Sequence, residues 1–149
     1  MGRWLAVVHD CGEKSGSALY PCPCCGYLVH EEPPGCHQIC SVCYWEDDEQ
    51  MLRWPLMAGG ANKVSLVDAQ RSFAEVGASE ERFVSRADGL EGLERESGFR
   101  YIDLTKDCFE PTHVQERPWP DDLTVLYWWR PTFWKRGMSS AKGKGGGGS

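Results

Sequence analysis

Apolar residues between Ser65 and Gly77 fall at Leu66, Ala69, Phe73 and Val76, the spacing of a single helical face. Ser65 stands where an N-cap would sit, with Asp68 three positions on as in a capping box. Gly77 is placed as a left-handed C′ stop. The pattern predicts a helix over Leu66–Val76, with Arg71 and Glu75 paired on its polar side. Ser79 is positioned to cap a second short helix reaching about Arg86, with Glu80 and Glu81 in its first turn. Elsewhere the pattern points to strands and loops. Trp4–Val8 reads as an edge strand, Glu13–Ser17 as a polar turn and Tyr101–Leu104 as a short strand. Leu123–Arg130 is the strongest strand signal, apolar on both alternating faces and therefore expected to be covered on both sides or to present one aromatic face to a partner. Pro55–Asn62, with Gly59-Gly60, reads as a loop, and Asp88–Gly98 is polar, punctuated by glycine and irregular.

These elements make a small α+β fold, and 149 residues suit a single domain over 1–140. Ala141–Ser149 (AKGKGGGGS) has the composition of a flexible linker or fusion junction. Setting aside its Lys142 and Lys144 leaves 14 basic against 22 acidic residues, so the formal net charge moves from −6 to −8. This acidity argues against a nucleic-acid partner. The longest clean apolar runs, Trp4–Val8 and Val125–Trp129, fall far short of the roughly 20 residues a membrane-spanning helix needs. No secretory signal is expected, because the stretch to Val8 lacks an adequate apolar core.

The cysteines change the picture most. Six of eight, namely Cys22, Cys24, Cys25, Cys36, Cys40 and Cys43, fall within 22 residues, while Cys11 and Cys108 stand apart. Disulfide scaffolds spread their cysteines to staple distant segments; tight clustering suits metal binding in a reducing compartment, here the cytoplasm. Cys22, Cys25, Cys40 and Cys43 form C-x2-C-x14-C-x2-C. Each C-x-x-C turn can aim two sulfurs at one point, and Gly26 lets the backbone close tightly behind the first pair. Two facing turns would give the four-sulfur tetrahedron of a closed structural zinc site, with no open position for water and hence no catalysis. Two other readings are compatible with these residues: a redox pair at Cys22 and Cys25, or a two-metal cluster that also uses Cys24, Cys36 and His37; Cys24 and Cys36 as spare thiols is the preferred reading. The redox pair would lack its usual flanking strand and helix. Pro21–Val42 has few large aliphatic residues, so zinc, which contributes about 10–16 kcal/mol in small zinc peptides, would supply its order.

From Ser15 to Leu52 there are six acidic residues and no Lys or Arg. A ribbon with no basic residues cannot meet phosphates. The run Glu46, Asp47, Asp48 and Glu49 reads either as a surface for a basic protein partner or as the solvated start of a helix.

Several stretches together resemble the bacterial cysteine-rich CPCC family. They are Tyr20-Pro-Cys-Pro-Cys-Cys-Gly-Tyr27, Glu31-Glu-Pro-Pro-Gly35, Ile39-Cys-Ser-Val-Cys-Tyr-Trp-Glu-Asp-Asp48 and Gly59-Gly-Ala-Asn-Lys-Val-Ser-Leu66. The resemblance covers about Leu19–Ala78 and implies a zinc-ribbon-type module followed by a helix. It also implies ligand roles for Cys22, Cys25, Cys40 and Cys43. Family members carry non-ligand residues where this chain has Cys36 and His37, which weighs against two metals.

The segment 99–136 is rich in tryptophan: Trp119, Trp128, Trp129 and Trp134 lie within sixteen residues. Such aromatics serve as core or as interface anchors. Trp128 and Trp129 would point to opposite faces of a strand, which makes one of them a candidate exposed anchor. His9, His30, His37 and His113 have no evident catalytic partners, and no phosphate loop, H-E-x-x-H or G-x-S-x-G occurs. The resulting expectation is a non-enzymatic zinc protein that binds another protein, in its sharpest form an immunity- or antitoxin-type inhibitor of a basic bacterial toxin. A thiol-redox sensor or metal-dependent enzyme using the surplus cysteines, and an adaptor domain in a larger assembly, are the alternatives.

Overall fold

The computed structural model describes residues 19–87 and 92–135. The expectations for Trp4–Val8, Glu13–Ser17, Cys11, His9 and the glycine-rich tail fall outside these residues, as does part of Asp88–Gly98. The fold is mixed α+β. Strand β1 (Tyr20–Pro21) pairs antiparallel with β2 (Leu28–His30), Tyr20 opposite His30 and Pro21 opposite Leu28, with a register irregularity between Tyr20 and Pro21. Helix α1 spans Glu49–Arg53 and α2 spans Leu66–Val76. Two 3₁₀ turns follow, Glu81–Phe83 and Leu123–Leu126.

Helix α2 has the bounds its pattern predicts. The Ser65 hydroxyl accepts the Asp68 N–H at 3.1 Å, and Gly77 closes the helix at φ 83°. The buried face is Leu66, Val67, Ala69 and Gln70, with Phe73 half-buried, while Val76 is exposed. Arg71 pairs with Asp68 at 3.1 Å, not with Glu75, because the i,i+3 partner lies within reach one turn back.

Three expected elements differ. The segment opening at Ser79 is not a helix capped by Ser79: Ser79 is buried, and only Glu81–Phe83 forms a 3₁₀ turn, entered through Glu80. Tyr101–Leu104 is not a strand. Its donors go to side chains, Ile102 N–H to Gln70 Oε1 at 2.9 Å and Asp103 N–H to Asp107 Oδ2 at 2.8 Å. Leu123–Arg130 is not a strand either. The Asp122 carboxylate accepts the Thr124 N–H at 3.0 Å and the Thr124 hydroxyl at 2.5 Å, which winds Leu123–Leu126 into a 3₁₀ turn. The apolar character on all sides is satisfied by burial instead, since Leu126, Tyr127, Trp128 and Trp129 all enter the core.

That core is continuous. The four ligand-type cysteines, Cys24, Val42, Trp45, Met51, Leu52 and Leu66 pack with Leu126, Tyr127, Trp128, Trp129 and Phe133 in one cluster. Each such side chain contributes roughly 1.5–3 kcal/mol when fully buried. The Trp-rich segment therefore closes over the cysteine-rich one. Edge-to-face ring contacts at 4.7–4.8 Å join Trp129 to Trp128 and to Phe99.

Candidate metal centre

Two loops with the same hydrogen-bond pattern hold the cysteines. In the first, Cys22 N–H donates to Tyr27 O at 3.0 Å and Gly26 N–H to Cys22 O at 2.6 Å. In the second, Cys40 N–H donates to Trp45 O at 2.9 Å and Tyr44 N–H to Cys40 O at 2.8 Å. The fifth residue of each loop is left-handed: Gly26 at φ 83° and Tyr44 at φ 70°. The C-P-x-C-G motif announces the first, but nothing in C-S-V-C-Y marks the second. Tyr44 adopts this conformation while its ring lies 4.8 Å from Phe83.

The rest of the fold clamps both loops. Gln70 Nε2 donates to Pro23 O at 2.9 Å, Arg95 Nε to Cys25 O at 2.7 Å, and the Tyr127 hydroxyl to Pro21 O at 3.1 Å. Ser79 N–H donates to Cys43 O at 2.7 Å. Sequence reading missed these positioning residues. Gln70 had a signal, because it sits on the apolar side of α2 one turn after Leu66, where a polar residue requires a buried partner. Arg95 and Tyr127 had none, lying 70 and 106 residues from the atoms they meet.

The outcome is a convergent set of sulfurs. The Sγ atoms of Cys22, Cys25, Cys40 and Cys43 all lie within 4.8 Å of one another, and all four residues are buried. Cys22 Sγ is 3.7 Å from Cys43 Sγ, and Cys25 Sγ is 3.7 Å from Cys40 Sγ. A metal bound to four sulfurs at about 2.3 Å requires a tetrahedron edge of about 3.8 Å, whereas a disulfide would need about 2.05 Å. The donor set fits a tetrahedral metal ion and leaves no protein-free position on it. Burial pushes the Cys22, Cys25 and Cys43 thiols up, while hydrogen bonds from Cys22, Cys25 and Cys43 pull Cys40 far down. A cation entering this site would displace the remaining thiol protons. The Val42 N–H, 3.3 Å from Cys40 Sγ, supplies the backbone donor expected behind such a turn.

Gly26 is held by two constraints. Its φ is left-handed, and a Cβ there would lie 2.4 Å from the Phe99 ring. Gly77 has the same φ and open space around it. Gly26→Ala is expected to destabilise the metal-loaded protein by on the order of 3 kcal/mol, and Gly77→Ala by about 1 kcal/mol, in thermal denaturation. Equal losses at the two sites would show that the ring contact is irrelevant.

Cys24 and Cys36 do not join the four sulfurs. Cys24 is fully buried in the core. Cys36 sits by Asp47, its Sγ 3.5 Å from Oδ2, and burial followed by that carboxylate pushes its thiol up to about 12. It is therefore expected to react with iodoacetamide far more slowly at pH 8 than an ordinary thiol; mass mapping of alkylated peptides reads this out. His37 stands outside, with Nδ1 3.6 Å from Glu46 and Nε2 3.6 Å from Glu49.

Burial removes four residues from the expected partner surface, Asp47, Asp48, Trp128 and Trp129. Trp128 and Trp129 are 1% and 7% exposed, so neither is an exposed anchor; both fill the core that a strand would have split between two faces. Trp128 Nε1 donates to Arg100 O at 3.1 Å and Trp129 Nε1 to Glu96 Oε2 at 2.6 Å. Asp47 and Asp48 of the acidic run are internal too. Asp47 accepts Gly35 N–H at 2.6 Å and Cys36 N–H at 3.1 Å. Asp48 caps α1 through Gln50 N–H at 2.8 Å and holds Ala61 N–H at 2.9 Å. Glu46 and Glu49 are half-buried against His37. Of the two readings of this run, the helix-start reading describes Asp48, though the residue is buried and not solvated.

Residues 20–91 match the sequence model of the family described as Cysteine-rich CPCC, so the resemblance carried by the motifs holds over that segment. No curated protein matches the chain. Among the described residues, no helix is long and apolar enough to cross a membrane.

Proposed function

We propose that this chain is a non-catalytic protein-binding module stapled by one zinc ion, and that it acts as an immunity- or antitoxin-type inhibitor of a basic bacterial toxin. The observation that carries the reading is the closed four-thiolate site, which gives a metal a role in folding and no position for substrate. Zinc is the ion that four clustered thiolates in a tetrahedron favour, with iron its chemical rival. A net charge of −6 over the whole chain supports a basic partner through steering and complementarity. The clustered thiols support a reducing, cytoplasmic setting. The surplus cysteines give the redox alternative little support, since Cys24 is buried and Cys36 is held as a thiol.

Native mass spectrometry of the protein as isolated tests both halves. One zinc per chain and a co-purifying basic protein, whose toxicity this chain relieves on co-expression, are the expected results. Iron in place of zinc overturns the metal assignment. Failure to relieve the toxicity of any protein encoded beside it overturns the inhibitor reading.

A further inference from the structure

An open groove of about 590 Å³ runs between α2 and the 3₁₀ turn Glu81–Phe83. Val64, Asp68 and Ser72 form one side, and residues 79–82 form the other. Ser79 is 1% exposed, yet its hydroxyl has no hydrogen-bond partner. A buried hydroxyl left unpaired is costly and rare, and here it belongs to a residue lining a groove large enough to admit a side chain. Three carboxylates, Asp68, Glu80 and Glu81, line the same groove. Arg71 reaches Asp68 from outside it at 3.1 Å. Among the described residues, Glu81 pairs with no cation.

The groove already carries a guanidinium of its own. Arg82 lies against Glu80, with Nε 2.7 Å from Oε1 and Nη2 3.4 Å from Oε2, on a side chain that is 56% exposed. This contact shows the chemistry the carboxylates accept, and its exposure leaves it exchangeable. We infer that the groove takes an arginine side chain from a protein partner, its guanidinium on Glu80 and Glu81 and its stem over Val64. The Ser79 oxygen then accepts one of the N–H groups, and Arg82 is displaced into solvent. This inference rests on the reading of the chain as a binder of basic proteins and assigns that partner a docking point. The groove is built on the metal loop, because Ser79 N–H donates to Cys43 O at 2.7 Å, so metal loss would dismantle it.

The test is a titration of the metal-loaded full chain with acetyl-Gly-Arg-Gly-amide, followed by amide NMR shifts, with the citrulline peptide as neutral control. Shifts confined to 68–72 and 79–82 are expected from the arginine peptide alone. Glu81→Gln should weaken binding about threefold and Arg82→Ala should tighten it by a similar factor, the scale of one exposed ion pair. Ser79→Ala should weaken binding without lowering thermal stability, since the hydroxyl has no partner in the free protein. No shifts up to about 10 mM peptide, a range weak single-pair binding still reaches, would overturn the inference, as would equal shifts from the citrulline peptide. Hydrogen exchange on the complex with a captured basic partner separates the two proposals. A bound partner that leaves 79–82 unprotected defeats the groove and preserves the binding function. Peptide binding without any basic partner does the reverse.

Discussion

Serine in place of Cys22, Cys25, Cys40 or Cys43 is expected to abolish stoichiometric metal binding and to unfold the cysteine-rich module. Structural zinc contributes about 10–16 kcal/mol in small zinc peptides, as much as or more than the roughly 5–15 kcal/mol by which a whole domain is stable. Little regular secondary structure holds these loops. The two strands are 2 and 3 residues long, and the cysteines themselves form part of the core around them. Losing one thiolate also leaves the other three buried without a cation, which desolvation opposes. Metal count by mass spectrometry, with near-UV circular dichroism for the packed tryptophans, measures the effect; a strong chelator should reproduce it in the wild-type protein. Cys108→Ser, at a half-buried position away from the site, should keep both metal and signal. Equal damage from Cys108→Ser would refute the four-cysteine assignment.

The second large effect lies at the seam between the cysteine-rich segment and the C-terminal one. Arg53 at the end of α1 and Glu110 form an ion pair whose side chains are both fully inaccessible, with Nε 2.5 Å from Oε1 and Nη2 2.8 Å from Oε2. Nη2 also donates to Arg117 O at 2.7 Å. The guanidinium lies 4.6 Å from the Trp119 ring, 4.7 Å from Trp134 and 5.2 Å from Trp54. Nη1 has no hydrogen-bond partner, so the charge shared over the guanidinium is met by ring faces as well as by oxygen. Glu110→Leu should cost about 3–5 kcal/mol, because it strands a buried cation. Arg53→Met should cost a similar amount through the orphaned carboxylate, and the double variant should recover much of the loss, which chemical denaturation of all four proteins would reveal. Additive losses in the double variant would mean that the two residues act separately.

The same pair carries a pH dependence with a definite sign. Burial alone would raise the Glu110 carboxyl, but Arg53 and the Glu116 N–H at 2.9 Å outweigh it and hold the group below its ordinary value. A depressed carboxyl contributes stability above its unfolded value, about 4.3, and loses it as pH falls through the lower folded value. Glu96, bound to Arg130 at 2.6 Å and to Trp129, behaves in the same way. The stability difference between wild type and Glu110→Gln should therefore be flat at neutral pH and shrink below about pH 4. A difference that grows on acidification would reverse the assignment.

Local signals were legible where the physics is local. Helix α2 declared both ends, since an N-cap hydroxyl, a periodic face and a left-handed glycine all act within a few residues. The four-cysteine cluster was legible because a C-x-x-C turn is itself a two-ligand device. The misreadings came where composition was consistent with more than one structure. Leu123–Arg130 has the residues of a buried strand, but a strand needs a neighbour to take its backbone hydrogen bonds. Asp122 offered Thr124 a bond from two residues away, and the segment wound into a 3₁₀ turn. Glu46–Glu49 has the residues of an acidic surface, yet loop N–H groups at Gly35, Cys36 and Ala61 and the first-turn N–H of Gln50 in α1 use Asp47 and Asp48 as acceptors.

The sequence by itself determined the ligand set, the long helix and the acidic balance, because each depends on spacing or on simple counts. Only the tertiary structure decided which side chains remain outside. It drew Trp128, Trp129, Asp47, Asp48 and Ser79 inward and left the groove beside Glu81 facing solvent. It also placed Gln70, Arg95 and Tyr127 as clamps on the cysteine loops, across up to 106 residues of chain. Burial and long-range pairing arise from how the whole chain closes on one core, and no local pattern of residues encodes that closure.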